Sequence, residues 1–141
     1  MYIRQISVFV ENKFGRIAKI VDLLSKNNIN ISALSIADAT DFGILRLIVD
    51  KPDDAVSVLR ESGVSSKCTD VIAVAIDDRP GGLSIVLNTL TAAEISIEYM
   101  YVFVGKKTDK ALMVVKTDDM EKSVEAFKAG NIELITSADV Y

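Results

Sequence analysis

The chain has 141 residues, half of them apolar, and carries 20 acidic against 16 basic residues for a formal net charge of −4. This acidic balance argues against a nucleic-acid-binding protein, because phosphates require a basic footprint. The absence of histidine removes the usual general base near neutral pH and the commonest metal ligand. A single cysteine, no signal-peptide pattern and no apolar run of membrane-spanning length predict a cytoplasmic protein with no membrane association and no cofactor.

The first half of the chain alternates strand and helix patterns in a definite order. Strand-like apolar segments cover residues 3–10, 29–37, 44–49 and 64–69. The helix after the first strand is indicated by apolar residues at i, i+3, i+4 and i+7, namely Ile17, Ile20, Val21 and Leu24. A polar turn at 39–43 separates the second and third strands, and Asp53 and Asp54 are predicted to cap a second helix.

The second half repeats this order at an offset of 66, with Gly81 falling on Gly15. Its strand-like segments cover residues 71–76, 95–104, 111–115 and 132–136. Its first helix repeats the apolar spacing with Leu83, Val86, Leu87 and Leu90. A polar turn at 105–110 follows the second of these strands, and Asp118 and Asp119 are predicted to cap the last helix. We therefore predict two copies of one module, residues 1–69 and 70–141.

The order strand, helix, strand, strand, helix, strand is the ferredoxin-like arrangement. It predicts an α+β fold of two βαββαβ modules, each an antiparallel sheet with its helices on one face. Near the end of the copies, Ser62-Gly63 corresponds to Ala129-Gly130 at an offset of 67, a slippage of one residue. Both faces of the predicted strands are largely apolar, so we expect the uncovered face to contact a second module or a second chain, as in a homodimer.

Catalytic and RNA-binding arrangements are poorly supported by the residues. The aromatic residues at alternate positions of 95–104 fit packing within the sheet better than RNA stacking in an acidic chain. Cys68 has no histidine to activate it. Asp77 and Asp78 are neighbours at a strand end, where their side chains point to opposite sides, so a turn role is favoured over an acid–base pair. We predict no catalytic residue and no metal ligand, and a small enzyme using one of these aspartates stays open as an alternative.

The stretch DDRPGGL, residues 77–83, joins a strand to a helix and has a specific physical use. Pro80 fixes its own backbone, while Gly81 and Gly82 leave no side chain in front of the helix. A helix that starts there presents bare N–H groups, which attract a carboxylate. With Asp78 nearby to take an ammonium group, the junction suits a free α-amino acid. The alternative interpretation is a plain strand-to-helix turn.

The repeated order, together with DDRPGGL followed by a helix and EISI (94–97), resembles the ACT domain family. The first copy matches with ENKFGRI (11–17) and NINI (28–31). The resemblance covers nearly the whole chain, twice, and the chain is similar to small proteins made of two ACT units without an attached enzyme. It implies a regulatory protein that binds amino acids or other small effectors at interfaces between units.

The resemblance also implies which residues line the sites: the loop after the first strand and the start of the second strand of each copy. Transferred to this sequence, these ligand-binding positions are Asn12, Phe14, Gly15, Asn30, Ile31, Asp78, Pro80, Gly81, Ser96 and Ile97. Backbone N–H groups near Gly15 and Gly81 would hold the carboxylate, and Asn12 or Asp78 the ammonium group. For Asn30, hydrogen bonding to the backbone at a turn is an equal alternative. The copies depart from each other at these positions, so the two sites are not expected to be equivalent.

The leading hypothesis is a non-enzymatic, amino-acid-binding regulatory protein that forms a homodimer. A second hypothesis is a regulatory subunit that binds and controls a separate enzyme of amino-acid metabolism. A third is an assembly module whose sites are empty. The sequence names neither the effector nor the partner.

Overall fold

A computed structural model describes residues 2–37, 41–104 and 110–140. Residues 39–40 of the turn predicted at 39–43 and residues 105–109 of the turn predicted at 105–110 lie outside these ranges, while Phe42, Gly43 and Lys110 belong to strands. The chain divides into two compact units, Arg4–Asp70 and Val71–Val140, the latter joined by the first residues of the chain. We call them the N-terminal module and the C-terminal module. None of the helices in the described ranges has the length and apolar character that crossing a membrane requires.

The elements follow the predicted order. The first five are β1 (Ile3–Glu11), α1 (Arg16–Lys26), β2 (Ile31–Ala37), β3 (Phe42–Val49) and α2 (Pro52–Glu61). A long strand, β4 (Ser66–Asp77), follows; its first residues belong to the N-terminal module and those from Val71 onward to the C-terminal module. The remaining elements are α3 (Gly82–Ala92), β5 (Ile97–Val104), β6 (Lys110–Thr117), α4 (Met120–Ala129) and α5 (Ser137–Val140).

Each module contains an antiparallel sheet with a central strand paired on both sides. In the N-terminal module the strand order is β2-β3-β1, and in the C-terminal module it is β4-β6-β5. The register pairs Glu11 with Phe42 at one end of β3 and Ile31 with Val49 at the other. In the C-terminal module Asp77 pairs with Lys110 and Ile97 with Thr117 in the same manner. Strands β1 and β2 therefore run parallel to each other, with β3 antiparallel between them.

Helices cover one face of each sheet because apolar residues alternate along the strands. In the N-terminal module Val8, Val10, Leu45 and other buried residues of that face pack with Ile20 and Leu24 of α1. The C-terminal module has an equivalent core, formed by alternate residues of β4 and β6 with α3 and α4. Burying each such side chain stabilises the fold by about 1.5–3 kcal/mol. The predicted α+β fold of two ferredoxin-like modules is confirmed.

All four long helices end in the same hydrogen-bonded motif. The second residue after the helix, which follows the cap residue, adopts a left-handed conformation, and the N–H of the next residue donates back into the last turn, as in a Schellman motif. The left-handed residues are Asn28, Gly63, Glu94 and Asn131. Gly63 therefore corresponds to Asn131, an offset of 68, and the sequence-based pairing of Ser62-Gly63 with Ala129-Gly130 is wrong by one residue. The C-terminal copy is therefore longer between Glu94 and Asn131 than the N-terminal copy is between Asn28 and Gly63.

Two further sequence predictions are corrected by the structure. Asp53 and Asp54 lie inside the first turn of α2, whose cap position is Lys51 and forms no side-chain capping bond. Asp119 does cap α4, by accepting a hydrogen bond from the Lys122 N–H. The strand predicted at 132–136 is reduced to a single bridge between Val74 and Leu134, and α5 follows it.

Both modules carry the same β-bulge at the start of the second strand. The register shifts between Ile31 and Ala33, and again between Ile97 and Tyr99. The extra residue is Ser32 in one copy and Glu98 in the other. Because a bulge places one additional residue in one strand only, it turns the side chains that follow to the opposite face. It lets Ile31 share the helix-covered face with the residues after the bulge.

Gly82, the first residue of α3, lies against the end of β4. A Cβ atom built there would overlap the backbone carbonyl of Asp77. We expect Gly82→Ala to lower the free energy of unfolding by about 1–3 kcal/mol, since backbone must move to admit the methyl group. Urea unfolding measures the change. Gly130→Ala is the control, because a Cβ there would meet its neighbours no closer than 3.4 Å. Equal stability of the two variants would contradict the close packing.

Candidate functional site

The loop between β1 and α1 forms a tight turn that ends on a glycine. The Lys13 N–H donates to the carbonyl of Glu11 at 2.7 Å, and the Arg16 N–H to the carbonyl of Lys13 at 3.3 Å. Gly15 takes the cap position with a left-handed φ of 78°. Its side chain is a single hydrogen atom, so no side-chain oxygen caps the helix. Within the described residues, the next N–H groups of α1, those of Ile17 and Ala18, have no hydrogen-bond acceptor.

The loop between β4 and α3 repeats this geometry. The Arg79 N–H donates to the carbonyl of Asp77 at 2.9 Å, and the Gly82 N–H to the carbonyl of Arg79 at 3.0 Å. Gly81 is the left-handed cap residue, with φ of 88°, and forms no side-chain cap. The two junctions therefore share one backbone design, although one contains Phe14 and the other Pro80 at the same position.

The starts of α1 and α3 differ from those of α2 and α4 in charge. Neither α1 nor α3 has an acidic residue in its first turn. The first turns of α2 and α4 hold Asp53, Asp54 and Glu121, which complement the positive end of the helix dipole. Among the helices of the described residues, only the two behind glycine loops thus have no acidic residue in their first turn.

Each loop contains an ion pair between its first and third residues. The Lys13 ammonium lies 2.9 Å from the Glu11 carboxylate, and the Arg16 guanidinium lies 3.8 Å from the same group. In the second loop Arg79 lies 3.3 Å from Asp77. Asp77 therefore serves the turn, while the neighbouring Asp78 is exposed and has no polar partner among the described residues. The hydrogen bond from Lys13 and its charge, helped by Arg16, lower the pKa of Glu11 below its ordinary value of 4.5.

The predicted loop side chains all lie at the surface. Asn12 is exposed, and its backbone N–H donates to the carbonyl of Asp41 at 3.0 Å. Phe14 is fully exposed. Pro80 is likewise exposed, between Arg79 and the glycine pair. These side chains are available for contact with a ligand or with another protein surface.

The predicted positions at the start of the second strands have a structural role in each copy. The Asn30 N–H donates to the carboxylate of Asp50 at 2.9 Å, and the Asp50 N–H donates to the carbonyl of Asn30 at 3.1 Å. Ser96 and Asp118 exchange the same two bonds at 3.1 Å each. Asp118 is therefore an anchor for the second strand and not a helix cap. The sequence signal was present in the recurrence of an aspartate after the third strand of each copy.

The pairing register separates the two halves of each predicted site within a module. The loop after β1 follows Glu11, which pairs with Phe42, whereas Ile31 pairs with Val49 at the far end of β3. Seven residues of an extended strand span about 23 Å. The C-terminal module shows the same separation between Asp77 and Ile97. One module therefore does not bring its own loop and its own second-strand start together.

The comparisons with known proteins agree with this architecture. The sequence profile of the family described as an ACT domain pair matches residues 1–141, and the chain belongs to this family. It is similar to protein BT0572 from Bacteroides thetaiotaomicron, whose crystal structure is 40% identical, with a TM-score of 0.93 over 100% of this chain and 96% of that one. No curated protein matches the chain.

The fold is shared with regulatory subunits of aspartate kinase. The ligand-free subunit from Thermus thermophilus is 15% identical with a TM-score of 0.65, covering 90% of this chain and 91% of that one. The subunit from Thermus flavus is 14% identical with a TM-score of 0.63, covering 91% and 92%. The family profile confirms the resemblance to ACT domains, and the two Thermus subunits share the fold of this chain.

The Glu11 ion pair yields a prediction on titration. We expect the Glu11 carboxyl to titrate below 4.5 and Lys13→Ala to move its pKa back toward that value. Because the folded-state pKa is lowered, the pair stabilises the fold above the ordinary glutamate pKa, and this contribution is lost as the pH falls through the folded-state value. Carbon-detected NMR titration measures both pKa values. Lys26→Ala, on the last turn of α1, is the control and should leave the Glu11 pKa unchanged.

Proposed function

We propose that this protein is a non-catalytic, cytoplasmic regulator that binds a free amino acid through its two ACT modules. The observation that carries the proposal is the repeated junction at Gly15 and Gly81. Both loops end on a left-handed glycine, and both present a helix N-terminus without a side-chain cap or an acidic first turn. Membership of the ACT domain pair family supports the same conclusion.

The ligand's two charged groups match the chemistry of the loops. A carboxylate accepts hydrogen bonds from the free N–H groups at the start of α1 or α3, where the helix dipole favours negative charge. The ammonium group is taken by Asp78 in the second loop and by the amide oxygen of Asn12 in the first. Apolar neighbours, Phe14 and Ile31 in the first copy, discriminate among side chains.

Each loop requires a second-strand start from another module, since its own lies about 23 Å away. We propose that a second copy of the chain supplies it, so that the regulator is a homodimer with shared sites. Ligand binding then favours the assembled state over the alternative one, and this difference in affinity transmits the signal to a partner.

The two loops are predicted to differ in affinity because their charges differ. The first loop contains Lys13 and Arg16 beside Glu11, which favours the ligand's carboxylate. The second contains Asp77 and Asp78 beside Arg79, which favours its ammonium group. An amino acid without a charged side chain is compatible with the charges of either loop.

A thermal-shift screen of the twenty amino acids tests the proposal. A ligand at a hundred times its dissociation constant adds about 2.7 kcal/mol of stability, a clear rise in melting temperature. Gly15→Asp and Gly81→Asp then test each loop, because the new carboxylate repels the ligand's own and occupies the helix N-terminus. Gly15→Asn and Gly81→Asn are the matched controls, since asparagine tolerates the left-handed conformation as aspartate does.

We expect an aspartate at the competent loop to weaken binding about tenfold more than asparagine does. A melting temperature unchanged by all twenty amino acids would refute the amino-acid-sensor proposal. So would a rise that is the same in every glycine variant, since the ligand would then bind elsewhere.

A regulatory subunit for a separate enzyme is the alternative function. It is favoured by the size of the two Thermus aspartate kinase subunits, of which this chain covers 91% and 92%. Affinity purification of the tagged chain from its native host tests it. A stoichiometric enzyme whose activity changes when the chain is added supports the subunit role, and purification as the chain alone counts against it.

A further inference from the structure

A groove of about 590 Å³ runs beside α1 in the N-terminal module. One wall is a face of α1 that includes Arg16, Lys19 and Lys26, and the other is the segment 62–65 between α2 and β4. Phe9 and Phe42 also line it, and both are about half exposed. We call this the α1 groove. Its volume falls within the range of pockets that hold small organic ligands, and all its residues belong to Arg4–Asp70.

The open end of β1 explains why the groove exists. The Phe9 N–H donates to the carbonyl of Ser65 at 3.1 Å, which is where the following segment begins to pair with β1. Val10 and Glu11 extend beyond that point, and they line the groove together with Val64. The accessible apolar lining of the groove comes from Val64 and the half-exposed Phe9 and Phe42, whereas Val10 is buried in the core.

The charges along the groove favour an anion. Lys19 and Lys26 make no ion pair with the described residues, and Arg16 lies at the positive end of α1. The acidic groups that line the groove are Glu11, whose carboxylate Lys13 already neutralises, and Asp22. The cationic side chains thus exceed the unpaired carboxylates, and an anionic group bound there meets an attractive field.

The C-terminal module lacks these features at the corresponding positions. Arg16, Lys19 and Lys26 correspond to Gly82, Ile85 and Ala92. Phe9 corresponds to Ala75, which is buried. In the C-terminal module α3 and α4 lie in contact, since a Cβ built on Gly130 of α4 would be 3.4 Å from the Thr89 side chain of α3. Three cations and an aromatic ring therefore distinguish the α1 groove from its copy.

We propose that the α1 groove binds a small organic acid with an apolar or aromatic body. Its acid group lies between Lys19 and Lys26, which are about 10 Å apart along one face of α1, and its body contacts Phe42 and Val64 at the open end of β1. This site needs one module only and no ammonium group on the ligand. Lys19 and Lys26 are not among the glycine-loop positions, so this proposal does not depend on the amino-acid proposal, although Glu11 and Arg16 border both sites.

Indole-3-propionate and its neutral amide are the probes, used with the full chain. NMR titration is expected to show millimolar or tighter binding of the acid, with shifts at the amides of Leu23, Val64 and Ser65. The double variant Lys19→Ile with Lys26→Ala installs the residues of the second copy, which a homologous helix already accommodates. We expect both this variant and the amide probe to weaken binding about tenfold, through loss of two charge contacts. Lys122→Ala, an exposed lysine of α4, is the control and should retain full affinity.

Three results would overturn the proposal: no binding at millimolar concentration, equal affinity for the acid and the amide, or shifts centred on residues 12–15 or 78–81 in place of the groove. The last result would assign the probe to the loops and leave the α1 groove without a ligand. The amide comparison uses the wild-type chain, so the test remains valid if the double variant does not fold. Loss of amino-acid binding in the glycine variants, by contrast, leaves this proposal unaffected.

Discussion

The antiparallel hydrogen-bond ladder of each central strand is the constraint on which the rest of the structure depends. Strand β3 pairs on one side with β1 and on the other with β2, and β6 holds the same position in the second module. This pairing decides which residues of each strand face the helices and which loops share an end of the sheet. It places both glycine loops at the opposite end from the second-strand starts, and it leaves the last residues of β1 open beside α1. The separation of the predicted ligand-binding residues and the position of the α1 groove follow from the same register.

The periodic parts of the fold were predictable from the sequence because they depend on local patterns. The spacing of Ile20 and Leu24 indicated a helix with one buried face, and the glycine at position 81 indicated a turn that other residues rarely adopt. The exchange of bonds between Asn30 and Asp50 was not predicted, since it joins residues twenty positions apart and requires knowledge of strand pairing. The strand predicted at 132–136 is a single bridge because only its middle residues meet β4. For the candidate site, the motifs indicated residues but not the distances between them, because the register of β1, β2 and β3 decides which residues can meet within one module. The role of these residues in ligand binding stays a prediction.

The two modules use one backbone for different electrostatic surfaces. Their helix ends, glycine loops, strand anchors and bulges coincide, while the charges beside those features do not. Around the first loop and along α1 the cations Lys13, Arg16 and Lys19 accumulate, and at the second loop Asp77 and Asp78 stand beside Arg79. Such a pair of modules gives a single chain two chemically different surfaces on one scaffold.

The bulge at Ser32 and Glu98 has a consequence for the origin of the chain. A strand gains or loses a bulge only when the side chains beyond it change face. Two independent insertions at matching positions are therefore a less simple explanation than one. The presence of the bulge at matching positions in both halves is what the duplication of a single bulged module would produce. A serine and a glutamate now occupy the extra position, and they have no chemistry in common. The two halves therefore share the backbone conformation at this position but not the side chain that occupies it.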